Sequence, residues 1–547
     1  MAQNDGARMA QATVRKVDQG EVIGLQAQNG AHVWRGLPFA ASTAGENRWR
    51  APQPAPGWSG LRDATRFADR CAQLTTPGDE EEGLKPGIIV GSEDCLALDI
   101  YAPADAAGQA LPVMVWIHGG YNVWGRSGSY DGSRLAKDGN VIVVAVQYRL
   151  GPLGWFAHPY VRDSARDPED AAASFATLDL IASLRWVRDN IAVFGGDPNK
   201  VTIFGESAGG HNVVTLLASP LAGGLFHRAI VQSGAFESLS LAEAQGDEGS
   251  VRNPSNEIVA RLGAMDPEAL RAVPVGKLLG AYEKSGHFVD VPRVIADGVA
   301  LPSTPMRDAF ASTDTFNAVP VITGTNRDEM KLFFMMDEQK VRKAWRLFPV
   351  ARDQDYYDAV TRYVTRVWRI RAVDEPAAMM AAAGHDPVYS YRFDWDDGGR
   401  FLMMDFQRLF GAAHSIEIPF VFGVWSSLGD ADRFLFQKRT LADRERLHGQ
   451  MLRYWTSFAR DGVPRSDGAP DWPTYGGERG AYLRLDAPRD GGIEVLEGPD
   501  DIDRLGADLA NDPTLTQDAR CRIVAEMREW YFARPVHGRL ATATGCP

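Results

Sequence analysis

The sequence predicts an α/β fold, a large and mostly parallel central sheet covered by helices on both faces. Three observations carry this. Val113-Met114-Val115-Trp116-Ile117 and Val141-Ile142-Val143-Val144-Ala145-Val146 are near-continuous β-branched runs, the pattern of strands buried on both faces. Strand-like and helix-like segments alternate to the end of the chain. Between one such strand, Val201-Thr202-Ile203-Phe204, and one such helix, Gly210 to Ala218, lies Gly205-Glu206-Ser207-Ala208-Gly209.

Taken in order, the first residues to Gly20 are polar and mixed and are expected to be a flexible segment. Val22 to Pro38 alternates and breaks at glycines, which predicts an N-terminal hairpin. Cys71 to Cys95 encloses an acidic loop, Asp79-Glu80-Glu81-Glu82, read as a solvated surface. Leu96 to Tyr101 is a strand candidate. Leu178, Ile181, Leu184, Val187 and Ile191 recur at helical spacing ahead of Gly195-Gly196-Asp197-Pro198. Further strands are predicted at Arg228 to Ser233, Val319 to Gly324, Val388 to Phe393 and Tyr482 to Leu485. Residues 239–305 and 338–386 read as helical cap regions. Leu447, Met451, Trp455 and Phe458 make a helical stripe, and a last helix is expected over Asp512 to Phe532. One catalytic domain over 21–535 is expected, followed by a C-terminal tail over 536–547.

Bulk properties narrow the function. The 547 residues carry 58 Lys and Arg against 71 Asp and Glu, a net charge of −13 with no basic block. Nucleic-acid binding, which needs clustered cations, is not expected. No apolar run reaches about 18 residues, so no transmembrane helix is expected. The first twenty residues contain no apolar signal-peptide core. The four cysteines, Cys71, Cys95, Cys521 and Cys546, form no C-x-x-C pair, which leaves no support for a zinc site. They fall into two local pairs. Two disulfides would place the protein in an oxidising compartment, secreted or periplasmic, behind a leader this sequence does not carry; four buried thiols would place it in the cytoplasm. No Asn-x-Ser/Thr sequon occurs, because Asn253 precedes Pro254, and this favours a bacterial source.

The chemistry centres on Ser207. G-x-S-x-G between a strand and a helix is the pattern of a sharp turn that holds a serine hydroxyl clear of the backbone. The same turn aims the Ala208 N–H at the oxygen that becomes negative in acyl transfer. The plain alternative is a glycine-rich turn without chemistry. A serine needs a base, and the base needs a third group to fix its tautomer. His227, His287, His385, His414, His448 and His537 lie far enough downstream, whereas His211 follows one helical turn after Ser207. His414 leads, because Gly411-Ala412-Ala413 leave room for an imidazole in a crowded site. Glu329, just past the strand ending at Gly324, is the acid candidate, with Asp328 as local rival. His118-Gly119-Gly120 follows a strand directly and suits a loop of backbone donors.

These stretches together resemble the type-B carboxylesterases, the group within the α/β-hydrolase superfamily that includes cholinesterases. The resemblance runs nearly the full length. It rests on Arg35-Gly36-Leu37-Pro38-Phe39-Ala40, Ser92-Glu93-Asp94-Cys95-Leu96, Phe194-Gly195-Gly196-Asp197-Pro198, Val201 to Gly209, Gln232-Ser233-Gly234, Gly324 to Glu329, His414 to Gly423 and Trp472-Pro473-Thr474-Tyr475. It implies Ser207 as nucleophile, His414 as base and Glu329 as acid, with donors at Gly120, Tyr121 and Ala208. It also implies a Cys71–Cys95 disulfide and a buried polar network around Glu206 and Ser233; the spacing alone leaves Cys521 and Cys546 as a second candidate pair. The implied reaction is ester hydrolysis without metal or cofactor, on a small-molecule ester, by a monomer or a homo-oligomer. The rivals are a hydrolase specialised for a bulky ester and a binding protein that keeps the fold.

The departures are specific. A run of three glycines is usual where this chain has Gly119-Gly120-Tyr121, and an aromatic is common where it has Asn122. An altered substrate pocket is therefore expected, with Glu206, Trp124, Phe333 and Phe334 as candidate lining residues. Met330 replaces the glycine usual after the acid. No tryptophan lies between Cys71 and Cys95, where cholinesterases use one to hold quaternary ammonium, so choline esters are not expected as substrates.

Overall fold

The computed structural model describes residues 10–76, 79, 83–249, 251–282, 284–285, 288–289, 293–344, 348–401, 404–426 and 432–547. Glu80, Glu81 and Glu82 of the acidic loop, and the candidate His287, lie outside them. The chain divides into two compact units. The first comprises Met1–Ile230, Glu237–Val319 and Phe458–Gly462; the second comprises Val231–Phe236, Pro320–Ser457 and Val463–Pro547.

In the first unit the longer strands are β1 (His32–Pro38), β2 (Ala97–Ala102), β3 (Leu111–Ile117), β4 (Ile142–Val146), β5 (Gly196–Glu206) and β6 (Arg228–Gln232), which crosses into the second unit at its last two residues. Strand β3 lies between β4 and β5, parallel to both, pairing Val113 with Ile142 and with Val201. Strands β2 and β1 continue the sheet beyond β4 in antiparallel pairing, and the short strand Leu25–Gln26, antiparallel to β1, forms the edge. Every residue of β3 and β4 is buried, which explains their unbroken apolar sequence. Helices α1 (Phe175–Asn190) and α2 (Ala208–Ala218) belong to this unit. The expected cap over 239–305 contains the short helices Leu241–Gln245, Ser255–Leu262, Pro267–Arg271 and Val275–Gly280.

In the second unit β7 (Val321–Asn326), β8 (Val388–Phe393) and β9 (Tyr482–Leu485) are parallel, and β10 (Glu494–Leu496) adds an antiparallel edge. After β7 comes the short α3 (Met330–Met335). The region 338–386 is not helical throughout. It opens on a hairpin, Val341–Ala344 with Phe348–Ala351, before the helix α4 (Gln354–Arg369). Asp353 caps α4 by accepting the Tyr356 N–H.

Three boundaries read from sequence need correction. Residues 10–20 are ordered: Thr13 is fully buried and Arg15–Val17 pair with Gly20–Val22. The helix expected over Asp512 to Phe532 is shorter, α6 (Gln517–Met527), and a separate helix, α5 (Ile502–Asn511), precedes it; Pro513 between them lacks the N–H that a continuous helix needs. The expected tail contains α7 (His537–Thr544), whose Leu540 is fully buried. Both cysteine pairs form disulfides, Cys71–Cys95 and Cys521–Cys546. Among the described residues no helix is long and apolar enough to cross a membrane.

Candidate active site

Strand β5 ends at Glu206, and α2 begins at Ala208. Ser207 between them has φ 58° and ψ −122°, a conformation that L-residues seldom adopt. The flanking glycines are required. A Cβ on Gly205 would stand 2.6 Å from the Ile117 carbonyl oxygen and from the Gly209 backbone, and one on Gly209 would stand 2.0 Å from the same Ile117 oxygen. Strand and helix close too tightly at Gly205 and Gly209 for any side chain there. The Ala208 N–H belongs to the first turn of α2, where amides have no intrahelical partner. His211 is no base for this serine. It is buried, its Nε2 lies 2.7 Å from the Glu237 carbonyl oxygen, and burial pushes its pKa down to about 4.

The loop after β3 carries positive φ at Gly120 (108°), Tyr121 (56°) and Asn122 (60°). Gly120 has no room for a Cβ, which would meet the Trp124 carbonyl oxygen at 2.0 Å and the indole at 3.2 Å. Trp124 therefore packs on Gly120, and it lines a small pocket with Leu74, Thr75, Leu150 and Leu279. The Tyr121 ring turns to Arg293, whose guanidinium carbon lies 5.4 Å from its centroid. Glu206 is buried under the loop, since a Cβ on Gly119 would come within 3.0 Å of its Oε2. It packs there and does not line open space.

In the second unit Glu329 and His414 meet. His414 Nδ1 lies 2.6 Å from Glu329 Oε2, with the two side chains 4% and 0% exposed. Glu329 Oε1 accepts the Ser233 hydroxyl at 2.6 Å and the Asn326 N–H at 2.7 Å. The carboxylate thus fixes the tautomer with the proton on Nδ1, and Nε2 becomes the accepting nitrogen. Ala412 and Ala413 are fully buried, as the small residues before the imidazole suggest. The rival Asp328 is committed elsewhere. It pairs with Arg327 and Lys331 and accepts the Ala412 N–H. Burial alone would raise its pKa, but those two cations hold it below the ordinary carboxylate value. Among the other downstream histidines, His227 accepts the Val201 N–H and His448 bonds the Phe420 carbonyl.

Phe333 and Phe334 separate. Both rings pack near Trp530, but the Phe333 ring also lies 5.1 Å from the His414 ring, whereas Phe334 is buried beneath Lys340. Sequence reasoning missed Trp368, whose ring lies 4.9 Å from His414 and whose Nε1–H donates to the Gly234 carbonyl. It also missed Glu417, fully buried, which accepts from Gln232 Nε2 and Asn326 Nδ2. Burial, and then the charge of Glu329, raise the Glu417 pKa. A carboxylate inside the apolar run Ile416 to Phe422 is a signal that could have found it. Among the described residues no group of three His, Cys, Asp or Glu side chains is placed to hold a metal ion.

The sequence matches the family described as "Carboxylesterase family" over residues 11–362 and 349–497. It is 35% identical to a human protein named cocaine esterase, over 86% of this chain and 87% of that protein. It is 33% identical to the para-nitrobenzyl esterase of Bacillus subtilis, over 84% of this chain and 92% of that one. Among solved structures, a PNB esterase superposes with a TM-score of 0.70 at 31% identity, covering 89% of this chain and 98% of that chain. A Geobacillus stearothermophilus carboxylesterase gives 0.70 at 29% identity, with the same coverage.

Proposed function

The chain belongs to the carboxylesterase family, with its α/β-hydrolase fold, and is a carboxylic ester hydrolase; from that premise we propose that Ser207, His414 and Glu329 carry the reaction. The observation that supports this most is the buried Glu329–His414 hydrogen bond, together with a serine held on a turn that only glycine neighbours permit.

In this reading Ser207 Oγ adds to the ester carbonyl carbon while its proton passes to His414 Nε2. The carbonyl electron pair moves to oxygen, and the N–H groups of Gly120, Tyr121 and Ala208 stabilise the oxyanion. Collapse expels the alkoxide, which takes the proton from the imidazolium and leaves an acyl group on Ser207. Water then repeats the sequence and releases the acid. Glu329 holds the ring and balances its positive charge.

The two disulfides support an oxidising compartment, so secretion or export to a periplasm is part of this reading. The test is hydrolysis of p-nitrophenyl esters from acetyl to dodecanoyl, with Ser207→Ala as control. Turnover that vanishes in the folded variant is the expected result. Turnover that survives the substitution would overturn the assignment.

A further inference from the structure

Two consecutive non-glycine residues, Tyr121 and Asn122, sit in the left-handed region, at φ 56° and 60°. Asparagine tolerates that conformation and tyrosine does not, so something must hold the loop there. In the proposed function, on which this inference rests, the loop supplies two of the three oxyanion donors.

The restraints converge on Asn122. Its backbone oxygen accepts the Gly151 N–H at 2.7 Å. Its side-chain Oδ1 accepts Asn212 Nδ2 at 2.9 Å and lies 3.4 Å from the Tyr148 hydroxyl. That hydroxyl donates at 2.7 Å to the carbonyl of His118, at the start of the same loop. Asn212 is on α2, five residues beyond Ser207, within the helix whose first turn carries the Ala208 N–H. Both asparagines are fully buried, and among the described residues Asn122 Nδ2 and Asn212 Oδ1 have no hydrogen-bond partner. Two buried amides left half satisfied are costly, and an apolar pair would serve packing alone better.

We propose that Asn122 and Asn212 form a positioning clamp that registers the Gly120 and Tyr121 N–H groups against the Ala208 N–H. An oxyanion site demands this, because donors act only when they stand at hydrogen-bond distance from the oxygen that develops charge. The clamp also accounts for a tyrosine in a position where glycine is usual. The amide of the next residue pins the loop in a conformation that a tyrosine alone would leave. Neither asparagine touches substrate; both act through the loop.

The test is a double-substitution cycle in the full chain. Asn122→Gly suits the left-handed backbone and removes only the amide. Asn212→Ala suits the helix. For each variant, and for the pair, kcat and KM are measured on p-nitrophenyl butanoate. The inhibition constant is measured for an alkyl trifluoromethyl ketone, to whose carbonyl Ser207 Oγ adds, its proton going to His414, to give an oxyanion adduct. Each single substitution is expected to lower kcat about tenfold, with KM within about twofold, and to weaken the ketone by a matching factor. The double variant is expected to be no worse than the poorer single. Multiplying losses in the double, an unchanged kcat in Asn212→Ala, or a loss confined to KM would each overturn the clamp while leaving the ester hydrolase reading in place. A folded wild-type protein without activity on any ester would overturn both.

Discussion

Glu329 and His414 share a hydrogen bond of 2.6 Å between Oε2 and Nδ1, closed off from water on both sides. In the proposed mechanism this bond calls for a carboxylate and not an amide. Glu329→Gln keeps the shape and removes the charge, and an amide facing Nδ1 can select the wrong tautomer. A loss in kcat of about 10³-fold or more is expected, with folding intact by circular dichroism. A loss under tenfold would show that the imidazole does not depend on this residue.

Ser233 donates its hydroxyl to the other oxygen of that carboxylate. Removing the donor leaves the Asn326 N–H as the remaining bond to Oε1 and loosens the orientation of the carboxylate toward His414. Ser233→Ala should lower kcat about three- to tenfold, far less than Glu329→Gln. Steady-state kinetics of both variants on one substrate make the comparison, and equal losses would contradict this ranking.

The two disulfides should differ in what they support. Gln73, two residues past Cys71, donates through Nε2 to the carbonyls of Cys71 and Gly125 and accepts the Gly125 N–H. The first disulfide loop therefore braces the end of the loop that carries Gly120 and Tyr121. Cys521–Cys546 joins α6 to the end of α7. The sequence separations are 24 and 25, so loop-closure entropy predicts roughly 3 kcal/mol from each. Paired serine substitutions should lower the unfolding free energy similarly. Only Cys71→Ser with Cys95→Ser should also lower kcat, which stability and activity assays on the two variants will separate.

The fold's own residues set a pH dependence. Asp99 on β2 is fully enclosed and accepts the Gly36 N–H at 2.8 Å, and burial raises its pKa from 3.8 to about 6. Below pH 4 the group is protonated in both folded and unfolded chains. Between pH 4 and 6 the unfolded chain releases the proton while the folded one keeps it, so stability from this group falls as pH rises. The loss is roughly 3 kcal/mol by pH 7. Asp99→Asn should remove it, so that the difference in unfolding free energy between variant and wild type grows from pH 4 to pH 7. Parallel curves would contradict the assignment.

Much of this was legible in the sequence where a single physical rule governs. The buried strands announced themselves through β-branched runs such as Val141 to Val146, since a strand covered on both faces is mostly apolar. Gly205 and Gly209 were legible because sterics alone demand them. The residues that failed to announce themselves depend on contacts distant in sequence. Phe333 and Phe334 are neighbours, yet adjacent helical positions point about 100° apart, and only Phe333 faces His414. The helix α7, built from His537 to Thr544, has a weak apolar pattern. Buried Leu540 and the disulfide to Cys521 hold it. Asn122 was visible as a departure, but its partner Asn212 lies 90 residues away.

The central claim is that Ser207 is a nucleophile activated by His414. Fluorophosphonate labelling followed by peptide mass spectrometry tests it most directly, comparing wild type with His414→Ala. The account predicts one phosphonyl group per chain, on the peptide containing Ser207, and labelling at least about 100-fold slower without the imidazole. A label on another residue, or equal rates in the two proteins, would contradict it.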